Sequence, residues 1–501
     1  MSRFSLVFSL DPQHKEPLYR QIYQRVKRAI MEGQLKRGSR VPSVRAMASD
    51  LGVARATVEN AYGLLTAEGF LQSRGQAGTV VSAPESLSAP VPSPAAKSAP
   101  RKPINPMLPS VSSLPFQLGL PALDAFPRAI WSRIVARQSR HTSMNDLGHP
   151  PLTGIDALRA SVARYLQLSR GFTCRPEQIF ICGGYAPVLD LIIGSLLQPG
   201  DGVWLEDPGY PVTQAFFRAA GAVPVAVNVD EEGMNVPQAV AHNPHARFAV
   251  VTPAHQSPLG VTMSLSRRMA LLDWAEKQQA WIIEDDYDSE FRYHGQPLPS
   301  LKSLDTQGRV IYAGTFSKVM FPALRCGYVV VPESLVEKIE AYCPLRICGT
   351  PPLIQASITE FIDQGHFYRH LKRMRQLYAE RRGYLEQALT AAFPADVLQV
   401  SQQAGGIQLC TTLSRELDDA LIAKNAREQG LAVQALSDWQ VQRREREDAL
   451  RPNGLLMGFP NISSQDMAEK WVVRLAQMVS ASADAVSSST KPAPTKPTSA
   501  K

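Results

Sequence analysis

The chain has 501 residues, 44% of them hydrophobic, and a mean hydropathy just below zero, which suits two or more domains with ample core. It contains no apolar run of the roughly 18 residues that a membrane helix needs, and the apolar part of Met1–Leu10 is too short for a secretory signal. Six scattered cysteines (Cys174, Cys182, Cys326, Cys343, Cys348, Cys410) form no C-x-x-C pair, so no metal site is expected, and reduced thiols in a cytoplasm are the plain reading. The net charge of +8 is unevenly placed: residues 1–80 hold twelve Lys/Arg against six acids, most of the surplus. A basic end on a nearly neutral body predicts a polyanion partner for that end.

Leu18, Ile22, Val26 and Ile30 keep helical spacing through Pro17–Glu32, and Gly33 ends that helix. Ser43 is placed to cap a short helix over Val44–Leu51, Gly52-Val53 makes a turn, and a third helix spans Ala54 to about Ala67. The third helix carries Val58, Ala61, Leu64 and Leu65 on one face, with Arg55, Thr57 and Asn60 on the other. Phe70–Ser73 and Gly78–Val81 flank Arg74-Gly75-Gln76-Ala77 and predict a two-stranded wing. The order is that of a winged helix-turn-helix, mostly α with a β wing, whose third helix would enter the major groove of double-stranded DNA. A three-helix domain with solvated charges is the bland alternative.

Nine prolines between Ser82 and Pro115, among Ser and Ala, predict an extended linker over 83–115. At about 3.1 Å per residue it reaches roughly 100 Å, enough for two modules to meet separate half-sites. The body follows over 116–480, and 481–501 is expected to be a disordered tail. Apolar runs at Ile179–Cys182, Gly202–Leu205, Phe248–Val251, Trp281–Glu284 and Val310–Ala313 alternate with helical patterns, which predicts α/β with a central, mostly parallel sheet.

Inside the body, Lys318 closes Gly314-Thr315-Phe316-Ser317-Lys318, Arg325 follows, and Ile282–Tyr287 lies upstream. This is the layout of a pyridoxal phosphate site. A lysine can bond to the cofactor's aldehyde only with its amine partly deprotonated. Asp285 would hold the proton of the pyridine nitrogen, and Tyr287 would reach the ring's phenolic oxygen. Arg325 offers bidentate donors to the phosphate, with the hydroxyls of Thr315 and Ser317. Gly183-Gly184-Tyr185-Ala186-Pro187 ends a strand and opens a helix, with Pro187 expected at the first helical position. The free N–H groups there, from Gly184, Tyr185 and Ala186, are an anion site. Tyr210 is placed to stack on the ring, although a tyrosine in a Pro-Gly-Tyr turn is often just packed.

Leu35–Arg45, Gly52–Val58 and Ala61–Gly69 closely resemble the GntR family of bacterial winged-helix regulators. The resemblance implies a DNA-binding domain over 12–82, with Ser43, Arg45, Arg55, Thr57 and Gly75 facing DNA; Glu59 departs from a basic residue of some members. The body resembles fold-type I aminotransferases, α/β with a small C-terminal α+β subdomain at about 365–480. More narrowly, Thr252–Gly260, Glu284–Tyr293, Gly314–Lys318 and Gly365–Arg375 resemble the MocR/GabR subfamily. That resemblance implies pyridoxal 5'-phosphate, a small amino-compound effector, a DNA operator, and a head-to-tail homodimer. Two departures stand out. Tyr185-Ala186-Pro187 replaces the polar core of the usual Gly-x-Gln-x-Ala phosphate loop. Leu456 stands about where transaminases place the arginine for a substrate carboxylate, and Arg451 is nearby in sequence. Three functions fit: a regulator sensing an amino compound, a working aminotransferase with a DNA-binding arm, or a regulator that binds its ligand without covalent chemistry or senses vitamin B6.

Overall fold

In a computed structural model, residues 10–14, 16–75, 78–82, 114–293, 295, 299–345, 349–441 and 452–489 are described. They fall into two units, Met1–Leu108 and Pro109–Lys501. Arg451, Cys348 and residues 83–113 of the expected linker lie outside the described residues.

In the first unit, helices Leu18–Met31, Val44–Leu51 and Arg55–Ala67 pack around Ile22, Val26, Met47, Val58 and Leu65. Val58 and Leu65 are fully buried, each stabilising by about 1.5–3 kcal/mol. Gly52 takes a left-handed conformation (φ 65°) that ends the second helix. The buried Tyr62 hydroxyl donates to Pro42 O at 3.0 Å, tying the third helix to the entry of the second. Strands β1 (Leu71–Ser73) and β2 (Thr79–Val81) pair antiparallel as the wing.

The second unit is built on an eight-stranded sheet. Its members are β3 (Ile179–Cys182), β4 (Gly202–Asp207), β5 (Val223–Asp230), β6 (Gly233–Met234), β7 (Phe248–Val251), β8 (Trp281–Asp286), β9 (Val310–Thr315) and β10 (Gly327–Val330). The order is β3-β10-β9-β8-β7-β4-β5-β6. From β9 to β5 all neighbours run parallel. Strand β10, between β3 and β9, is antiparallel to both. Near-continuous apolar sequence suits strands covered on both faces. Of the five parallel strands, β4, β7, β8 and β9 send the loops after their C-terminal ends to one side, where open α/β sheets bind ligands.

A smaller antiparallel sheet, β11 (Leu398–Val400), β12 (Gln408–Leu413), β13 (Gln434–Ala435) and β14 (Leu455–Gly458), has the order β11-β12-β14-β13. The long helices His366–Ala392 and Gln465–Ser489 accompany it. The last helix corrects the expected tail boundary. It runs to Ser489, and no proline intervenes to break it before Pro492. No described helix is long and apolar enough to cross a membrane.

Candidate functional site

Asp285 is the penultimate residue of β8 and is 8% exposed. Burial pushes its carboxyl up to about 7; a hydrogen bond from the Tyr185 hydroxyl opposes this, while Asp286, Glu206 and Asp288 add to it. Tyr185 Oη also lies 3.2 Å from Thr213 Oγ1. Lys318 follows β9 on a turn and is half-buried. Desolvation pulls its amine below the ordinary lysine range, against the pull of the Asp288 and Asp285 carboxylates. Lys318 and Asp285 therefore meet at one end of the sheet.

The lysine amine has one further partner that spacing could not reveal. Nζ donates to Gly119 O at 3.1 Å. Gly119 sits at φ +70°, and any side chain there would collide with the amine. The strap that carries it, Leu114–Pro121, is gripped on another side by the small sheet, where Gly458 N donates to Phe116 O at 2.8 Å.

Arg325 takes a left-handed conformation (φ 49°) and lays its guanidinium over Gly184. A β-carbon at Gly184 would stand 3.2 Å from Arg325 Nη2, and Gly184 itself has φ +108°. Gly184 is thus required both for its conformation and for the close approach of the arginine. The helix Tyr185–Leu196 starts immediately after it, so the N–H groups of Tyr185 and Ala186 are free of helical partners. Pro187 is the third helical residue rather than the first, still within the turn that needs no donor. Thr350, far away in sequence, joins the two loops: its hydroxyl contacts Arg325 O at 2.8 Å and Cys182 O at 3.1 Å. Thr315 Oγ1 accepts from Ser317 N at 3.1 Å, which shapes the turn before Lys318.

Tyr287 lies beyond Asp285, and its hydroxyl is 2.9 Å from His255 Nδ1. Tyr210 is 36% exposed, with ring centroids 6.2 Å from Tyr185 and 5.6 Å from Trp439. Leu456 is fully buried in β14, opposite Cys410 and Gln434, as its apolar setting predicts. No cluster of three or more metal-ligating side chains occurs among the described residues, and the five described cysteines form no disulfide with one another.

In the N-terminal unit, Arg45 and Arg55 are exposed on the first turns of the second and third helices, with Thr57 half-buried beside them. Ser43 uses its hydroxyl as the helix cap, accepting from Ala46 N at 3.2 Å. Gly75 (φ +59°) is exposed in the wing turn, and Glu59 is exposed on the third helix.

Two family models match the chain: bacterial regulatory proteins of the gntR family over residues 18–81, and aminotransferase class I and II over 124–451. The probable rhizopine catabolism regulatory protein MocR of Rhizobium meliloti is 36% identical, covering 92% of this chain and 93% of that protein. The pyridoxine biosynthesis transcriptional regulator PdxR of Corynebacterium glutamicum is 30% identical, covering 93% and 97%. Among solved structures, the alpha-aminoadipate aminotransferase LysN of Thermus thermophilus, complexed with N-(5'-phosphopyridoxyl)-L-leucine, matches with a TM-score of 0.66. Its identity is 27%, over 74% of this chain and 92% of that one.

Proposed function

The chain belongs to the MocR/GabR subfamily of GntR-family transcriptional regulators, and from that membership we propose that its aminotransferase-like body holds pyridoxal phosphate on Lys318 and reports an amino compound to the DNA-binding module. The observation that carries this reading is a lysine with a depressed pKa beside Asp285, a buried carboxyl that Tyr185 eases and three other carboxylates burden. Such a carboxyl suits a cationic guest. When bound, the cofactor supplies an aldehyde that condenses with amines and a ring that accepts electrons.

Each residue has a task in this reading. Lys318 anchors the cofactor covalently. Asp285 keeps the pyridine nitrogen protonated. Tyr287 faces the phenolic oxygen, and Tyr210 covers the ring. Arg325, the Gly184, Tyr185 and Ala186 backbone, Thr315 and Ser317 hold the phosphate. With an effector amine in its place, the Lys318 amine would be free to hold the Gly119 carbonyl, the contact it makes in this structure. Leu456 favours sensing over transamination: a buried leucine in β14 offers nothing to a carboxylate. A partner subunit in a head-to-tail homodimer suits the exposed Met144 and Leu147, at 89% and 78% exposure. Cytoplasmic residence follows from the DNA operator as ligand.

The test is spectral. Full-length protein given pyridoxal phosphate acquires a visible absorption band, and Lys318→Ala loses it; protein that stays colourless sinks the cofactor reading. A screen of amino compounds against the coloured protein then finds the effector. Sustained turnover of an amino donor with a 2-oxo acid would turn the conclusion to the enzyme. On the DNA side, Arg55→Ala is expected to weaken operator binding by about 1–3 kcal/mol through a lost base-edge contact. Unchanged binding in a gel-shift titration would place the reading helix elsewhere.

A further inference from the structure

Behind Tyr287 stands a pair of buried titratable groups without a task so far. His255 and Asp288 are 5% and 1% exposed. His255 Nδ1 is 2.9 Å from the Tyr287 hydroxyl and 3.3 Å from Asp288 Oδ1. His255 Nε2 and both Asp288 carboxylate oxygens lack a hydrogen-bond partner among the described residues. Both residues border a cavity of about 60 Å³ that Thr262, Arg292 and Gly406 also line. Buried polar atoms left this way are costly, and native structures keep few of them. The imidazole is held in place by close packing, since any side chain at Gly406 would collide with it.

We propose that His255, set by Asp288, is a positioning residue that turns the Tyr287 hydroxyl toward or away from the cofactor's phenolic oxygen. The inference rests on the reading that the site takes pyridoxal phosphate. Imidazole holds either one proton or none at Nδ1. With Nδ1 protonated, His255 donates to Tyr287 Oη, and the tyrosine proton is free to serve the cofactor. With Nδ1 bare, Tyr287 donates to His255 and its proton is turned away. Asp288 Oδ1, 3.3 Å from Nδ1, is placed to bear on that choice. Other charged groups face this pair. Asp285 and Glu206 act on Tyr287, and Lys318 and Tyr293 lie within reach of Asp288. Arg292, Arg170, Asp286 and Glu284 line the cavity. All of them are common to the variants below, so comparison isolates the pair.

The experiment is a pH titration of the visible band in full-length, cofactor-loaded protein. Asp288→Asn is expected to raise the midpoint by about one pH unit, a tenfold change in the acid constant, because a Tyr287 proton turned away no longer stabilises the phenolate; a lowered midpoint would show Asp288 acting on Lys318 directly and overturns the proposal. In a His255→Gln background the same substitution leaves the midpoint where His255→Gln set it. An unmoved midpoint in Asp288→Asn overturns the proposal alone. So does an undiminished shift in the His255→Gln background, because Asp288 would then act on Lys318 directly. His255→Gln by itself flattens the transition, which keeps the test decisive if Asp288→Asn fails to load; an unaltered transition there overturns the proposal too. A wild-type protein with no visible band overturns the cofactor reading and this inference with it.

Discussion

Asp285→Asn is expected to move two measurements in opposite directions, stabilising the cofactor-free protein while weakening its hold on pyridoxal phosphate. Burial raises the folded-state carboxyl from the ordinary range to about 7. Between about pH 4 and the folded value the native chain therefore binds a proton more tightly than the unfolded chain. Stability from this group falls as pH rises through that window, and the penalty stays constant above it. Asparagine keeps an acceptor for Tyr185 and carries no charge. At about pH 8 the cofactor-free variant should gain roughly 2–4 kcal/mol, a gain that vanishes near about pH 4. Glu206 and Glu284, also pushed up to about 7 by burial, remain in place, so some pH slope survives. Cofactor affinity should fall by about 2–5 kcal/mol, the usual cost of truncating one partner of a buried charge pair. Urea denaturation at both pH values and a spectral titration read the two effects. A variant less stable than wild type at both pH values would show that Asp285 is a structural acceptor first.

Arg170→Met should be among the most destabilising single changes in the body. Arg170 Nε donates to Asp286 Oδ2 at 2.5 Å and Nη2 to Glu290 Oε1 at 2.5 Å. The three side chains are 10%, 5% and 8% exposed. Tyr165 donates to Glu290 at 2.5 Å, and the Tyr312 hydroxyl donates to Asp286. Burial alone would raise the Asp286 carboxyl, yet Arg170 and its hydrogen bonds hold it below the usual range. Methionine matches the arginine stem and leaves two buried carboxylates unpaired, at a cost of about 3–5 kcal/mol. The loss should shrink on acidification, as the stranded carboxyls take up protons. Calorimetry at neutral and acid pH checks this; a loss below about 1 kcal/mol would show water reaching the network. The network fastens the helix Asp156–Arg170 to the end of β8, which carries Asp285, and to the turn beyond it that carries Tyr287, so cofactor binding should weaken in parallel.

What was legible in the chain was what local spacing encodes. Strand β8 and strand β9 read as apolar runs, and Asp285 and Lys318 follow from what comes directly after them. The three short helices and the wing read from periodicity and Gly52, to within a residue. What stayed hidden is contributed across long separations. Gly119 meets Lys318, Thr350 meets Arg325, and Arg170 meets Asp286 and Glu290; no local pattern pairs such residues. Strand β10 escaped because an antiparallel strand slipped between β3 and β9 leaves no trace in the βα alternation. His255 lies inside Thr252–Gly260 with no local sign of a role, since its meaning depends on Asp288 and Tyr287 approaching from beyond the end of β8.

The strap Leu114–Pro121 is held at several points: Ala432 N and Gly458 N donate to Pro115 O and Phe116 O, Asn461 Nδ2 donates to Leu120 O and Pro121 O, and between them the lysine holds Gly119 O. One ammonium group therefore serves as both chemical handle and mechanical clutch. While that group is committed to a cofactor it would not grip the carbonyl, and Gly119 would lose its donor while its neighbours on both sides stay held. When the group is released, that grip closes. A change of bonding at a single nitrogen would thereby be felt at one carbonyl of a backbone stretch that the body anchors on either side.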